Sequence, residues 1–289
     1  MRLMLYPHLI SAFIMIFFAK SSFACLHYAQ TYKDSVKEGT QSVFLYHDGT
    51  NAHVILQTEV KAGKKLPRVL AWVLPFPSVP SRYQEREEHF FEQLQQLFPP
   101  DRSGGLSRSP KGKSMDRTIK VHDMQRVGNY QIEPIEILAE GAGEPFQAWL
   151  KRNGFQGMPD ELQKIYLRKG DVFLAIKASL DGPEARLKPL QVTYRASQLS
   201  YPIRFTHHER SFDLEIYWLL HKMPKTLPVF PYLELRGLVS FDKGRWPTLL
   251  QNLFIDKHQA FILRYRGRNL NSAEFPFARL NDDPSIGVN

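Results

Sequence analysis

Between residue 40 and the C-terminus, the spacing of apolar positions predicts strands more often than helices. SVFLYHDGTNAHVILQTEV, residues 42–60, alternates β-branched and aromatic residues on either side of Asp48-Gly49, which predicts a hairpin. VLAWVLPFPSVP, residues 69–80, is continuously apolar until Pro75, Pro77 and Pro80 stop it. That continuity predicts a strand buried on both faces and hence central in its sheet. VGNYQIEPIEILAE predicts a further strand, and DVFLAIKASL, LKPLQVTYRA, YPIRFTHHE and SFDLEIYWLLHK follow in the manner of an antiparallel sheet. YLELRGLVSF and HQAFILRYRG add strands near the end, with the short apolar stretch PTLLQNLFI between them.

Helical spacing occurs in three places. Phe90, Phe91, Leu94, Leu97 and Phe98 share one face, and Ser81 with Gln84 forms a capping box that predicts the helix start. EPFQAWLKRNGF opens on Pro145 and closes at Asn153-Gly154; PDELQKIYLRKG opens on Pro159 and closes at Gly170. Strands grouped apart from helices predict one α+β domain over residues 25–289, mainly antiparallel sheet with a few short helices packed on it.

The first residues follow a different pattern. MRLMLYPHLISAFIMIFFAKSSFA has an early arginine, an apolar run from Leu9 to Phe18 and a small-residue exit, the layout of a secretory signal peptide over residues 1–24. Its apolar core is about ten residues, short of the roughly 20 that cross a bilayer as a helix. Two endings fit. Ser22 and Ala24 suit ordinary cleavage before Cys25, whereas a lipoprotein signal would make Cys25 the lipid attachment point; the serine at 22 and the bulky Phe23 favour the soluble ending. Either way the expected location is extracytoplasmic, in the periplasm or secreted, and past the leader no second apolar run predicts a transmembrane helix.

Charge narrows the partners. The chain carries a net charge of +9, and removing Arg2 and Lys20 with the leader leaves +7. Outside the cytoplasm that balance has two readings: attraction to anionic envelope components, nucleic acid being less accessible there, or a charge that only keeps a secreted protein soluble. The basic residues concentrate in 100–126, where residues 101–120 hold six Lys or Arg against two Asp and almost no aliphatic side chains. Such a segment predicts a flexible insertion, and without interleaved aromatics it is a poor nucleic-acid stacker. Cys25 is the single cysteine, so no intrachain disulfide and no thiolate zinc site can form.

AWVLPFPSVP at 71–80, VGNYQIE at 127–133, FQAWLKRNGF at 146–155, GDVFLAIK at 170–177, LKPLQVTY at 187–194 and YPIRFTH at 201–207, after a cysteine at the mature start, resemble in order the bacterial exported family catalogued as domain of unknown function 2330. The resemblance covers about residues 25–220. It implies an exported bacterial protein of one domain and supplies no catalytic residues, since its motifs are packing motifs. Members often carry a second cysteine soon after the first; this chain has only Cys25.

Candidate chemistry is sparse. His207, His208, Glu209 and His221 hold metal-ligating types, yet adjacent strand residues point to opposite faces and no HExxH spacing occurs. His47 and His53 flank the Asp48-Gly49 turn, where a carboxylate can orient an imidazole as a general base; turn chemistry alone also explains Asp-Gly. No G-x-S-x-G elbow and no P-loop is present, and Ser103-Gly104-Gly105 lacks the glycine spacing for a phosphate cradle. Pro77 to Pro80 reads as a rigid connector. No cofactor and no catalytic set is implied. The expectation is an exported binding or envelope-associated protein that is not an enzyme; the alternative is a metal-dependent hydrolase using His207 and His221 or His47 and His53, brought together by the fold. Ligand and oligomeric state are not specified by the sequence.

Overall fold

A computed structural model describes residues 26–27, 36–62, 69–98, 118–155, 157–158, 160–179, 187–205, 212–230, 232–242, 245–251, 253, 259–270 and 285–287. The elements in chain order are β1 (Leu26–His27), β2 (Val36–His47), β3 (Asn51–Ala62), β4 (Val69–Phe76), β5 (Arg82–Glu85), α1 (Phe90–Gln95), β6 (Ile119–Val121), β7 (Gln125–Val127) and β8 (Tyr130–Ile137). They continue with α2 (Gly143–Arg152), α3 (Asp160–Tyr166), β9 (Val172–Ser179), β10 (Leu190–Arg195), β11 (Gln198–Ser200), β12 (Phe212–Leu220), β13 (Glu234–Phe241), α4 (Thr248–Gln251), β14 (Ala260–Leu270) and β15 (Ser285–Gly287). The architecture is the α+β class expected, dominated by antiparallel pairing.

Two large sheets stack face to face. One runs β1-β4-β9-β8-β6 with β7 also on β8; the other runs β13-β14-β12-β2-β3-β10-β5, in which only the β12–β2 pair is parallel. β11 and β15 form a separate pair. Alternation decides what each strand offers. In β3, Ala52, Val54 and Leu56 join the core shared by the two sheets, while Ile55 joins a second apolar cluster on the outer face. Phe76 of β4 meets Tyr194 of β10 at 5.0 Å, so Leu74 and Phe76 face the seven-stranded sheet. Phe173, paired in register with Pro75, points the other way and meets Phe146 of α2 at 4.6 Å. The layers are therefore α2 and α3, the smaller sheet, the larger sheet, then α1 and α4 over the larger sheet's outer face, where Phe90, Phe91, Leu94 and Leu250 pack on Phe44, Tyr217 and Ile262.

Several expectations change in three dimensions. β4 is buried on both faces, as its apolar run predicts, but it lies beside the two-residue β1; stacking between layers, not a central place, buries it. Ser81 and Gln84 do not cap a helix. Arg82–Glu85 pairs with β10 as an edge strand, and α1 starts only at Phe90 with no side-chain cap at His89. Ladder hydrogen bonds along four residues outcompete one capping box. β9 and β10 follow one another yet lie in different sheets, and Ile203–Phe205 forms a 3-10 turn where the sequence predicts a strand. β6 and the first two residues of β7 fall inside the basic 100–126 stretch; residues 99–117 lie outside the described ones. Among the described residues no helix is long and apolar enough to cross a membrane.

Candidate functional site

The outer face of the larger sheet is only partly covered by α1 and α4, and beside them it forms a cleft of about 1350 Å³. Strand register builds its floor. Tyr46, His53, Thr193 and Arg82 stand opposite one another across β2, β3, β10 and β5, and Gln191 lies two residues from Thr193 on the same face. Phe90 of α1 and Leu249 beside Leu253 contribute an apolar wall, and the exposed His221 lies at the same cleft.

The turn between β2 and β3 positions the first charged group. Gly49 takes a positive φ of 101°, which lets the chain reverse, and Asp48 Oδ1 accepts the backbone N–H groups of Thr50 at 2.9 Å and Asn51 at 2.7 Å. Asp48 Oδ2 accepts from Asn51 Nδ2 at 3.2 Å and lies 2.9 Å from His53 Nε2. Partial burial opposes ionisation of Asp48, but these hydrogen bonds outweigh it and hold the carboxyl well below the usual range. Asp48 is therefore a carboxylate, and His53 Nε2 must carry the proton that faces it.

That assignment fixes the other ring nitrogen. His53 Nδ1 lies 3.0 Å from Thr193 Oγ1 and 3.3 Å from Gln191 Nε2. Burial lowers the His53 pKa, outweighing the pull of Asp48, so the ring is neutral near pH 7 and Nδ1 is an acceptor. The Tyr46 ring stacks on the imidazole at 4.2 Å with an interplanar angle of 1°, which holds the ring plane. Gln191 is oriented in turn by Arg86, whose Nε donates to Gln191 Oε1 at 2.6 Å; the amide nitrogen is left to face Tyr46 Oη at 3.3 Å and His53. Burial pushes the Tyr46 phenol up to about 12, against the opposing charge of Arg86, so it stays protonated.

Arg86 is a half-buried cation of the cleft, which Arg82, Glu85 and Glu87 also line. Its guanidinium is half-buried, and burial lowers its pKa. Its partners are the neutral Gln191 and Tyr46, and among the described residues no carboxylate forms an ion pair with it. Elsewhere the buried arginines are paired: Arg264 donates to Glu215 at 2.9 Å, and Arg266 lies 3.2 Å from the same carboxylate.

The residues singled out from sequence end in different places. His47 and His53 do not face each other. His47 pairs in register with Ala52 and lies on the inner face, where Nδ1 accepts Gly49 N–H at 3.0 Å and Nε2 donates to Ala196 O at 2.7 Å. It is Asp48 that meets His53. His207, His208, Glu209 and Cys25 lie outside the described residues. Among the described residues no three His, Cys, Asp or Glu side chains converge to hold a metal ion. Sequence reasoning missed Tyr46, Arg82, Arg86, Gln191 and Thr193. Tyr46 was within reach, because the hairpin register sets it opposite His53; the others depend on β10, some 140 residues away.

The fold and cleft define a two-sheet α+β protein with a polar site on its outer face. The model of a family described as "Uncharacterized protein conserved in bacteria (DUF2330)" matches residues 19–226, and the chain belongs to that family. All the floor residues of the cleft fall within the matched segment. No curated protein matches the chain. Among solved structures it is similar to baculovirus P35 at 11% identity and a TM-score of 0.40, over 88% of this chain and 97% of that one. A mutated baculovirus P35 after caspase cleavage matches at 8% identity and a TM-score of 0.39, over 87% and 98% of the two chains.

Proposed function

We propose that the protein is exported by its N-terminal leader, begins at Cys25 as a free or lipid-bearing end, and binds an anionic envelope ligand in the cleft on the larger sheet. The observation that carries this reading is Arg86, a half-buried guanidinium among neutral partners, with no carboxylate ion pair among the described residues. Partly burying a cation costs free energy that a bound anion returns. A phosphate or carboxylate group fits the guanidinium's planar donor set, and Arg82 at the cleft adds a second positive charge. The apolar wall at Phe90 and Leu249 suits a less polar part of the same ligand.

The net positive charge and the basic 100–126 segment support the same class of partner, because both raise the local concentration of anions. The test is thermal unfolding in sodium phosphate against sodium chloride at matched ionic strength. Binding to the folded state alone stabilises by about 1.4 kcal/mol at ten times the dissociation constant. Wild type is expected to gain stability from phosphate, and Arg86→Met to gain none. Equal gains in the two proteins would remove the cleft from the account and leave only diffuse charge.

A further inference from the structure

The same cleft holds a hydrogen-bonded line that binding does not require. Asp48 Oδ2 lies 2.9 Å from His53 Nε2, and His53 Nδ1 lies 3.0 Å from Thr193 Oγ1. Carboxylate, imidazole and hydroxyl are thus joined in series, the first from the β2–β3 turn and the other two from facing positions of β3 and β10. We propose that Thr193 is a nucleophile, activated by His53 as general base and oriented through Asp48, and that the cleft transfers or hydrolyses the acyl group of a carboxylic ester.

Three features of the geometry support this reading. The ionised Asp48 sets the proton on Nε2 and so leaves the Nδ1 lone pair for the threonine proton. The imidazole cannot swing away, because Tyr46 stacks on its face and Gln191, itself held by Arg86, stands at its edge. A donor also stands beside the reacting position: Gln191 Nε2 lies 3.5 Å from Thr193 Oγ1, and Arg82 and Arg86 line the same cleft. A serine in a strand-turn-helix elbow is one way to present a hydroxyl to a base. Here a flat row of cross-strand neighbours does it, which is why no sequence motif marks it.

The steps balance without a cofactor. Thr193 Oγ attacks the ester carbonyl carbon while its proton passes to His53 Nδ1, and negative charge develops on the carbonyl oxygen. Collapse breaks the bond to the alcohol oxygen, which leaves with the proton from His53, and the acyl group remains as an ester of Thr193. Water then attacks that ester as its proton passes to the same Nδ1; the acyl–Oγ bond breaks, Thr193 Oγ takes the proton from His53, and the acid is released. Thr193 and His53 are the catalytic residues, and Asp48, Gln191 and Arg86 position them. The proposal stands independently of whether an anion occupies Arg86.

The experiment uses p-nitrophenyl acetate with the mature chain, following p-nitrophenolate release and locating the acetyl group by peptide mass spectrometry after acid quench. Thr193→Val keeps the β-branched shape and removes only the hydroxyl, Thr193→Ser keeps a hydroxyl, and His53→Gln keeps a polar side chain of similar reach. Wild type and Thr193→Ser are expected to carry acetyl on residue 193 and to release p-nitrophenolate faster than Thr193→Val. His53→Gln is expected to fall roughly 10²–10⁴-fold, the usual contribution of a positioned base. Wild-type release no faster than that of a folded Thr193→Val protein overturns the proposal. So does acetylation confined to lysine or histidine side chains that persists in Thr193→Val. Far-ultraviolet circular dichroism and the urea midpoint of each variant show that a loss is not unfolding.

Discussion

Glu215 is the residue whose removal the structure prices most clearly. Its side chain is 2% exposed, and those of Arg264 and Arg266 are 4% and 7% exposed. Oε1 accepts from Arg264 Nη2 at 2.9 Å and lies 3.2 Å from Arg266 Nη1, while Oε2 accepts from Tyr217 Oη at 2.7 Å and Gln95 Nε2 at 3.1 Å. The cluster ties β12 to β14 and fastens the end of α1, which forms a wall of the cleft. Glu215→Ala removes the buried carboxylate that Arg264 and Arg266 share, while the longer Arg266 contact to Asp213 at 3.5 Å stays. Breaking a buried pair from one side costs about 3–5 kcal/mol. At roughly 2–4 °C per kcal/mol for a chain of this size, the expected drop in Tm is about 6–20 °C. Glu215→Gln keeps the shape and part of the hydrogen bonding, and is expected to cost about 1–3 kcal/mol. Replacing all three members with Leu and Met is expected to be far milder than Glu215→Ala, since no buried charge then remains. The assay is urea unfolding followed by tryptophan fluorescence. A Glu215→Ala protein within about 1 kcal/mol of wild type would refute the reasoning, because side chains so buried cannot lose that partner cheaply.

Three further outcomes follow from the same structure. His53 has a folded pKa below its unfolded value of about 6.5, so its contribution is whole above that pH and is lost as pH falls from there towards the folded pKa; urea midpoints between pH 7.5 and 5 should fall more for wild type than for His53→Gln. Gly128 has a φ of 52° in the two-residue turn joining β7 to β8, and a Cβ there would lie 2.0 Å from the Glu85 carboxyl carbon, whose Oε1 accepts Asn129 N–H. Gly128→Ala should therefore destabilise by about 1–3 kcal/mol in the same assay. Phe146→Ala removes a fully buried ring packed at a tilt against Phe173 and should cost about 3–5 kcal/mol, read as a lower urea midpoint with far-ultraviolet signal retained.

Local signals located most elements because local physics forms them. The Asp48-Gly49 turn and the two short helices α2 and α3 each depend on residues within a few positions of one another, although α2 begins at Gly143, two residues ahead of Pro145. What sequence did not show is pairing over distance. Nothing near Arg82 reveals that β10 will supply its hydrogen-bond partners, so the capping residues at Ser81 and Gln84 mislead. The same ignorance hid the site. Asp48 and His53 are five residues apart and could be proposed as a pair, but Thr193 and Gln191 reach them only through the β3–β10 register. The family match reinforces packing motifs rather than chemistry, so the cleft emerges from geometry alone.

The central claim is that the cleft is preset around a neutral His53, protonated on Nε2, with Arg86 held ready beside it for an anion. Imidazole nitrogen-15 spectra of wild type at pH 7, with the His53 signal assigned from its loss in His53→Gln, test this most directly. The account predicts a neutral ring with the proton on Nε2, and signals that move on adding inorganic phosphate in wild type but not in Arg86→Met. A ring protonated on Nδ1 or on both nitrogens, or signals indifferent to phosphate, would contradict it.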